Sequence, residues 1–310
     1  LGVCTLKYFK SFQSYRQAWD RAFEKDPSIP LNLDIELSAV CNLRCPFCPL
    51  SNPNWKAPKE EFIQVIQAIK IIAKANEIGV PALKFNWMGE PTLHPAFNII
   101  LEYAASKDFY DLLVNTNGNY KPEKNEGLMY ATKVMFSVDS MIPNIYKQLR
   151  RNGDLFKVFS NIEDLLKRGH KNIVVRRVIT PQNKKENFAE IVKTVFGNKV
   201  QVSEHYVFDR NPAKKYQKKK ATEFKRIYCG YPSQRLVIDT QLNVFPCCVD
   251  YNKVMKLGNL KRDSIMDIWN SRKLQTIRDK LRQNKMPSRV CKNCTSWASY
   301  DSEYRKAVFK

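Results

Sequence analysis

The chain has 310 residues, 44% hydrophobic and 26% charged, enough to bury one large core or two unequal ones. No apolar run reaches the length of a membrane span, and residues 1–30 mix Lys, Arg, Asp and aromatics, so they are not expected to be a signal peptide. Nine cysteines without an export signal favour metal ligation in a reducing, cytoplasmic setting over a disulfide framework, and 52 Lys and Arg against 30 Asp and Glu leave +22, which suits anionic partners or a lysine-rich solvated surface.

Residues 1–30 read as a helical lead-in, with apolar residues at helical spacing over 15–23 and a break at Asp26-Pro27-Ser28-Ile29-Pro30. Residues 31–38 then alternate. Leu31, Leu33, Ile35 and Leu37 fall on one face, and Asn32, Asp34, Glu36 and Ser38 on the other. That pattern predicts a strand with one apolar and one polar face, and in an open barrel the polar face can look into a substrate channel. Directly after it comes Cys41-Asn42-Leu43-Arg44-Cys45-Pro46-Phe47-Cys48. Thiolates at spacings of four and three can converge on one metal centre. Zinc prefers four ligands in a closed tetrahedron, whereas three ligands in one loop suit a four-iron cluster with one iron open. A zinc loop or three buried thiols are the plainer readings of the spacing alone.

A helix is predicted from Pro58 to Gly79, with Phe62, Val65, Ile66, Ile69 and Ile72 on one face. Strands follow at 82–88, 112–116, 134–138, 172–179 and 200–207, alternating with helices at 95–107, 122–130, 143–151, 155–168 and 187–196. Such alternation means parallel strands with right-handed crossovers, and six units in place of eight suggest an incomplete barrel. Lysines and arginines crowd 209–226, read as a solvated bridge or an anion-gripping loop. A hairpin over 235–246, a helix over 264–282 and a Cys-x2-Cys pair complete the chain, with a domain boundary near 208.

The cysteine loop, followed some forty residues later by Asn86-Trp87-Met88-Gly89-Glu90-Pro91, resembles the radical S-adenosylmethionine enzymes. The resemblance implies that Cys41, Cys45 and Cys48 hold a [4Fe-4S] cluster, with Phe47 at the family's aromatic position. It implies that the open iron binds the amino and carboxylate groups of S-adenosylmethionine, and that one electron releases a 5′-deoxyadenosyl radical able to take hydrogen from unactivated carbon. Gly89, Glu90 and Pro91 match the family's Gly-Gly-Glu-Pro, with Met88 in place of the first glycine, and the acid is expected beside the methionine ammonium. Asn117 and Ser137 end the third and fourth strands where the family lines its cofactor pocket, and Arg177 on the fifth strand is expected to pair with the cofactor's carboxylate. A helix cap or a surface polar residue is the plain alternative for these three.

The later cysteines, Cys229, Cys247, Cys248, Cys291 and Cys294, resemble the family's auxiliary-cluster extension, called SPASM or, when shortened, twitch. Leu257-Gly258-Asn259-Leu260 and residues 265–269 match it as well. The resemblance implies a second [4Fe-4S] cluster closed by Cys229, Cys247, Cys291 and Cys294, with structural zinc as the plainer reading. Cys4 and Cys248 remain over. Cys248 is expected either to pack or to donate hydrogen to a substrate radical.

The expected architecture is thus a lead-in over 1–30, a partial (β/α)6 barrel over 31–208, a basic linker over 209–228 and a small α+β auxiliary-cluster domain over 229–310. The expected activity is two-electron oxidation of a hydroxyl-bearing carbon, as in the family's aminocyclitol dehydrogenases. The net charge favours a sugar or cyclitol bearing phosphate or a nucleotide. An external one-electron reductant of flavodoxin or ferredoxin type is implied. The alternatives are an epimerase using Cys248, a peptide maturase, and a basic zinc protein that binds nucleic acid. The last leaves Gly89-Glu90-Pro91 and the barrel pattern unexplained. Three histidines and no Ser-His-acid set give no sign of hydrolysis.

Overall fold

The computed structural model describes residues 8–56, 58–206 and 229–294. Six parallel strands run in sequential order: β1 (Asn32–Ile35), β2 (Ala82–Phe85), β3 (Asp111–Thr116), β4 (Lys133–Ser137), β5 (Ile173–Ile179) and β6 (Gln201–Tyr206). They form an open barrel wall. On its helix-covered side Leu33, Ile35, Leu83, Phe85, Val114, Phe136 and Val175 meet Ile72, Phe97, Leu101, Val158, Ile162 and Val192 in one core. Each such fully buried side chain contributes roughly 1.5–3 kcal/mol. The helices are α2 (Val65–Glu77), α3 (Phe97–Ala105), α4 (Pro143–Leu149), α5 (Leu155–Lys167) and α6 (Phe188–Phe196). In α5 Asp154 caps the Phe156 and Lys157 amides, and Leu155, Val158, Ile162 and Leu165 recur at helical spacing on the buried face.

The opposite, inner face is polar yet enclosed: Asn32, Asp34 and Glu36 are all buried. Helix α1 (Phe12–Arg21) closes its N-terminal end, where Tyr15 and Trp19 pack with Leu31, Ala82 and Tyr110. The lead-in is also fastened to the far end of the chain. Asp26 pairs with Arg278 at 3.4 Å and Arg282 at 2.6 Å, and the Trp269 indole donates to Pro27 O.

Beyond the barrel the expected hairpin is present as β7 (Arg235–Ile238) and β8 (Asn243–Phe245), but it does not start a sheet of its own. Strand β7 adds in parallel to the free edge of β1, and β9 (Gly258–Asn259) follows β8, so nine strands form one continuous sheet. The C-terminal part adds α7 (Tyr231–Gln234), α8 (Ile265–Trp269), α9 (Arg272–Arg282) and α10 (Arg289–Asn293).

Three elements depart from the sequence reading. The helix expected from Pro58 starts only at Val65, because residues 61–63 run extended beside Leu37–Ala39: Ile63 N donates to Leu37 O and Ala39 N to Glu61 O. The helix expected over 122–130 is two 3-10 turns, Pro122–Lys124 and Glu126–Tyr130. The helix expected over 264–282 is split into α8 and α9, where Ser271 leaves helical geometry to cap Leu274 N. Cys4, the basic segment 209–226, the linker boundary and residues 295–310 lie outside the described residues. Among the described residues no helix is long and apolar enough to cross a membrane.

Candidate functional site: two cysteine centres on one barrel

The cysteine loop leaves the C-terminal end of β1, and the turn after β2 crosses directly over its start. Glu90 N donates to Val40 O at 2.9 Å. A Cβ at Gly89 would lie 2.2 Å from Ser38 O and 2.5 Å from Val40 O, so only glycine permits this crossing. Met88, in contrast, is tolerated: its amide donates to Glu36 Oε1 at 3.1 Å.

The Glu90 side chain has another task than the one expected of it. Its Oε1 accepts from the Thr92 hydroxyl and the Thr116 hydroxyl, both at 2.7 Å, and from Thr92 N, while Oε2 accepts from Asn117 N at 2.7 Å. Both oxygens are thereby engaged within the protein, and the residue is 3% exposed. Glu90 braces the end of β2 to the end of β3; Pro91 opens the 3-10 turn that completes the brace. Burial raises the Glu90 pKa above the usual carboxylate range, opposed by these same donors.

Two side chains aim hydrogen-bond donors at the loop's sulfurs. Asn117 Nδ2 lies 3.6 Å from Cys41 Sγ and 2.8 Å from Asn42 Oδ1. Arg150 Nη1 lies 3.6 Å from Cys45 Sγ. The Arg150 guanidinium also pairs with Asp139 at 2.6 Å and sits 5.7 Å over the Phe47 ring. Leu43 N donates to Cys41 Sγ at 3.4 Å. Sequence reading missed Arg150, since only its arrival at Cys45 marks it out. Burial, with Glu90 and the neighbouring thiols adding to it, pushes Cys41 up to about 12; burial pushes Cys45 up to about 11 against the pull of Arg150. The three thiols thus sense one another, although among the described residues no His, Cys, Asp or Glu set is gathered at metal-ligand spacing. The donor set fits a cationic iron–sulfur cluster, which would favour thiolate at each position, with N–H groups already directed at two of the sulfurs.

Ser137, at the end of β4, is the register partner of Arg176 on β5, so these two share the inner face. Arg177 does not join them. Its side chain points to the helix side, donating to Glu204 at 2.6 Å and to the carbonyls of Asn183 and Glu186, each at 3.0 Å, and lying 4.9 Å over Phe188. The expected pairing of Arg177 with a cofactor carboxylate is therefore corrected. The pleat turns every second residue outward, and Arg177 is on the outward step.

The second cysteine set gathers around one cavity, also without reaching metal-ligand spacing. Cys229, Cys247, Cys291 and Cys294 line one small apolar cavity with Tyr231, Val249 and Met255. A hydrogen bond with the Cys248 thiol, followed by burial and the charges of Cys229 and Cys294, raises the Cys247 pKa strongly. Four sulfurs in apolar surroundings fit a fully ligated cluster. Cys248 packs with Trp87, Val237 and Phe245 on one side and with Cys247, Val249 and Met255 on the other. Its carbonyl accepts from the Trp87 indole at 2.8 Å.

Residues 35–195 match the family model of the radical SAM superfamily, and residues 229–295 match the model of the iron-sulfur cluster-binding domain SPASM. Among curated proteins the chain is 27% identical over 138 residues to GTP 3′,8-cyclase of Alkaliphilus oremlandii, covering 44% of this chain and 43% of that protein. It is 26% identical over 166 residues to GTP 3′,8-cyclase of Petrotoga mobilis, covering 51% of each. The chain thus spans about half the length of the curated relatives it matches. Among solved structures it resembles BtrN in complex with AdoMet and 2-DOIA (TM-score 0.56, 19% identity, 86% of this chain and 94% of that one). It also resembles SuiB of Streptococcus suis bound to precursor peptide SuiA (TM-score 0.67, 16% identity, 91% of this chain and 73% of that one). These likenesses carry the fold, an open α/β barrel followed by the cysteine-bearing extension. The family holds a four-iron cluster with S-adenosylmethionine, and the extension holds further iron–sulfur clusters. The chain belongs to the radical SAM superfamily and carries a C-terminal SPASM domain.

Proposed function

We propose that this chain is a radical S-adenosylmethionine dehydrogenase, which oxidises a hydroxyl-bearing carbon of a substrate held on the inner face of the barrel. When bound at Cys41, Cys45 and Cys48, the cluster and S-adenosylmethionine supply a hydrogen-abstracting carbon radical. The chain's own residues hold this centre. Asn117 and Arg150 direct donors at Cys41 and Cys45, Gly89 lets the β2 turn approach the loop, and Glu90 fixes the turn against β3. Ser137 on the inner face is available for the cofactor's carboxylate. In the net reaction the substrate C–OH loses one hydrogen atom from carbon, one proton from oxygen and one further electron. The C=O bond forms as the C–H and O–H bonds break.

The observation that carries this reading is the cavity formed by Cys229, Cys247, Cys291 and Cys294. Four thiolates close a four-iron cluster, which then offers no site to substrate and is suited to accepting the electron. Its neighbour Cys248 packs against Trp87, just after β2, and Val237 on β7, so the acceptor adjoins the barrel.

The position of Cys248 also favours a second reading. A thiol that adjoins both the barrel and the cavity could return hydrogen to the substrate radical and leave an epimer. The relatives named above span a GTP cyclase and a peptide-binding protein, so likeness alone does not choose the substrate. Turnover in deuterated water separates the two. A ketone product without solvent deuterium on the reacting carbon is expected; an inverted carbon bearing solvent deuterium overturns the dehydrogenase in favour of the epimerase.

A further inference from the structure

Helix α4 presents a polar face to solvent beside the cysteine loop. Asn144, Lys147 and Gln148 fall at i, i+3 and i+4, and Arg151 follows at i+7 just past the helix end. All four are exposed, whereas Tyr146 turns into the core. Together with Pro46 and Gln182 these residues line an open cavity of about 600 Å³. Pro46 ties the cavity to the first site, since it directly follows Cys45. The same two segments meet again where Arg44 N donates to Arg151 O at 2.9 Å. Arg150, next to Arg151 in the chain, reaches Cys45 Sγ at 3.6 Å. The cavity thus abuts the cysteine loop.

No carboxylate lines the cavity. The Lys147 and Arg151 side chains make no hydrogen bond or ion pair with any described residue. The carboxylates of the neighbouring elements are already engaged. Glu186 accepts from Ser140 Oγ at 2.6 Å and from Met141 N at 2.7 Å, Asp139 pairs with Arg150, and Asp154 caps α5. The exposed Arg44 guanidinium donates to the carbonyls of Cys41 and Leu43, neutral acceptors that leave its charge unmatched. Lys184 and Lys185, which follow Gln182, are exposed too. The rim is therefore cationic and amide-lined, unlike the apolar centre of a permanent interface. Redox encounters between proteins bury little area, and charge guides them more than apolar burial does. An open rim holds a single small anion weakly, because water screens each contact, whereas a surface bearing many carboxylates sums over them.

We propose that this face, centred on Lys147 and Arg151, is where an acidic one-electron carrier protein docks to deliver an electron to the first site. This rests on the reading of Cys41, Cys45 and Cys48 as the ligands of that site. In the step the carrier loses one electron and the site gains one, and no covalent bond forms or breaks between the two proteins. The second cysteine set, in its apolar cavity, has no cation among its lining residues to receive such a carrier.

The test uses the full chain reconstituted without air and supplied with S-adenosylmethionine. Formation of 5′-deoxyadenosine is driven by a reduced flavodoxin or ferredoxin of net negative charge, below saturation, or by illuminated 5-deazariboflavin, a small uncharged reductant. Each variant's carrier-supported rate is divided by its own deazariboflavin rate. At ~0.05 M salt Lys147→Glu/Arg151→Glu is expected to lower that ratio about tenfold or more, and ~0.5 M salt should remove the difference from the parent. Calorimetry with the oxidised carrier reads binding without turnover and should show the same loss, with Lys147→Arg/Arg151→Lys binding as the parent does. Lys167→Glu/Lys171→Glu makes an equal charge change at and beyond the far end of α5 and should leave both readings unchanged. Three results overturn the proposal. They are an unchanged ratio in Lys147→Glu/Arg151→Glu, an equal loss in Lys167→Glu/Lys171→Glu, or saturable phosphate binding that the first pair abolishes while neither carrier binds, which would make the cavity a small-anion site. If Lys147→Glu/Arg151→Glu does not fold, as judged by circular dichroism, Lys147→Gln decides by the same ratio. No 5′-deoxyadenosine with any reductant sinks the radical reading. Its formation with deazariboflavin, at a ratio indifferent to Lys147 and Arg151, sinks this one alone.

Discussion

Cys41, Cys45 and Cys48 lie in one short loop, with Asn117 and Arg150 aiming N–H groups at the sulfurs. Cys229, Cys247, Cys291 and Cys294 come from separated segments and line an apolar cavity. Hydrogen bonds to sulfur tune the potential of an iron–sulfur centre, and the donors differ: the Asn117 and Arg150 side chains reach the first set, the Val249 amide, at 3.3 Å from Cys247 Sγ, the second. A centre that must admit a cofactor needs an open side and polar neighbours. One that only relays an electron is better enclosed. Three ligands against four is thus matched by polar against apolar surroundings.

The largest effect should come from emptying the first site. Replacing Cys41, Cys45 and Cys48 together by Ala should abolish S-adenosylmethionine cleavage and halve the iron of the anaerobically reconstituted protein from about eight atoms. The second site should keep its share. Stoichiometric zinc in place of iron in the parent, prepared without air, would erase the distinction between the two sites.

Arg150→Ala should come next. It leaves Asp139 fully buried without its ion-pair partner, and the 2.6 Å contact is itself shielded from solvent. Breaking such a pair costs about 3–5 kcal/mol, read as a fall in the denaturant midpoint. The cavity of the second site should be untouched, so iron lost from the first site alone is the expected signature. Equal loss from both would show that the two sites are not independently built.

What can be read from sequence differs between the two regions. The cysteine loop and the alternation of β1 are local patterns, and both are where the spacing put them. The brace made by Glu90 and the approach of Arg150 to Cys45 are contacts between distant segments, which no spacing encodes. The exchange of Arg177 for Arg176 on the inner face is a matter of one pleat, decided by register with β4 and by the Glu204 partner on β6. The late start of α2 has the same cause: residues 61–63 find backbone partners beside Leu37–Ala39 that a helix would forgo.

Glu36 tests the boundary between the regions, since it lies where β1 meets the extension. Burial is the main reason its carboxyl is pushed up to about 8 from 4.5, with Asp239 adding and Lys253 and the Met88 amide opposing. Below about pH 4.5 the folded and unfolded chains both keep the proton. Between that pH and about 8 the unfolded chain ionises while the folded one resists, so stability falls as pH rises. Glu36→Gln keeps an acceptor for the Met88 amide and removes the titration. Its stability should therefore exceed the parent's at pH 8 by an amount on the order of a few kcal/mol, with the gap closing by pH 5. Parallel midpoints of parent and variant across that range would show that Glu36 is not held neutral.

The smallest expected effect belongs to Cys248, and it bears most directly on how the two sites communicate. Its thiol bonds to that of Cys247, and its side chain packs against Trp87 of the barrel and Val237 on β7. If the second site accepts an electron from the substrate, Cys248 is only packing between donor and acceptor. Removing one sulfur from a partly buried position should leave turnover within about tenfold of the parent, a barrier change of roughly 1.4 kcal/mol or less. If the thiol instead supplies hydrogen, Cys248→Ala should stop turnover while 5′-deoxyadenosine continues to form, because abstraction does not involve this residue. Loss of the Cys247–Cys248 hydrogen bond will also shift the potential of the second site, and Cys248→Ser keeps a donor there without a transferable hydrogen atom. Near-parental rates in both variants would support a closed, apolar relay. Near-parental iron with no product in either variant would overturn it and assign the chemistry to the thiol.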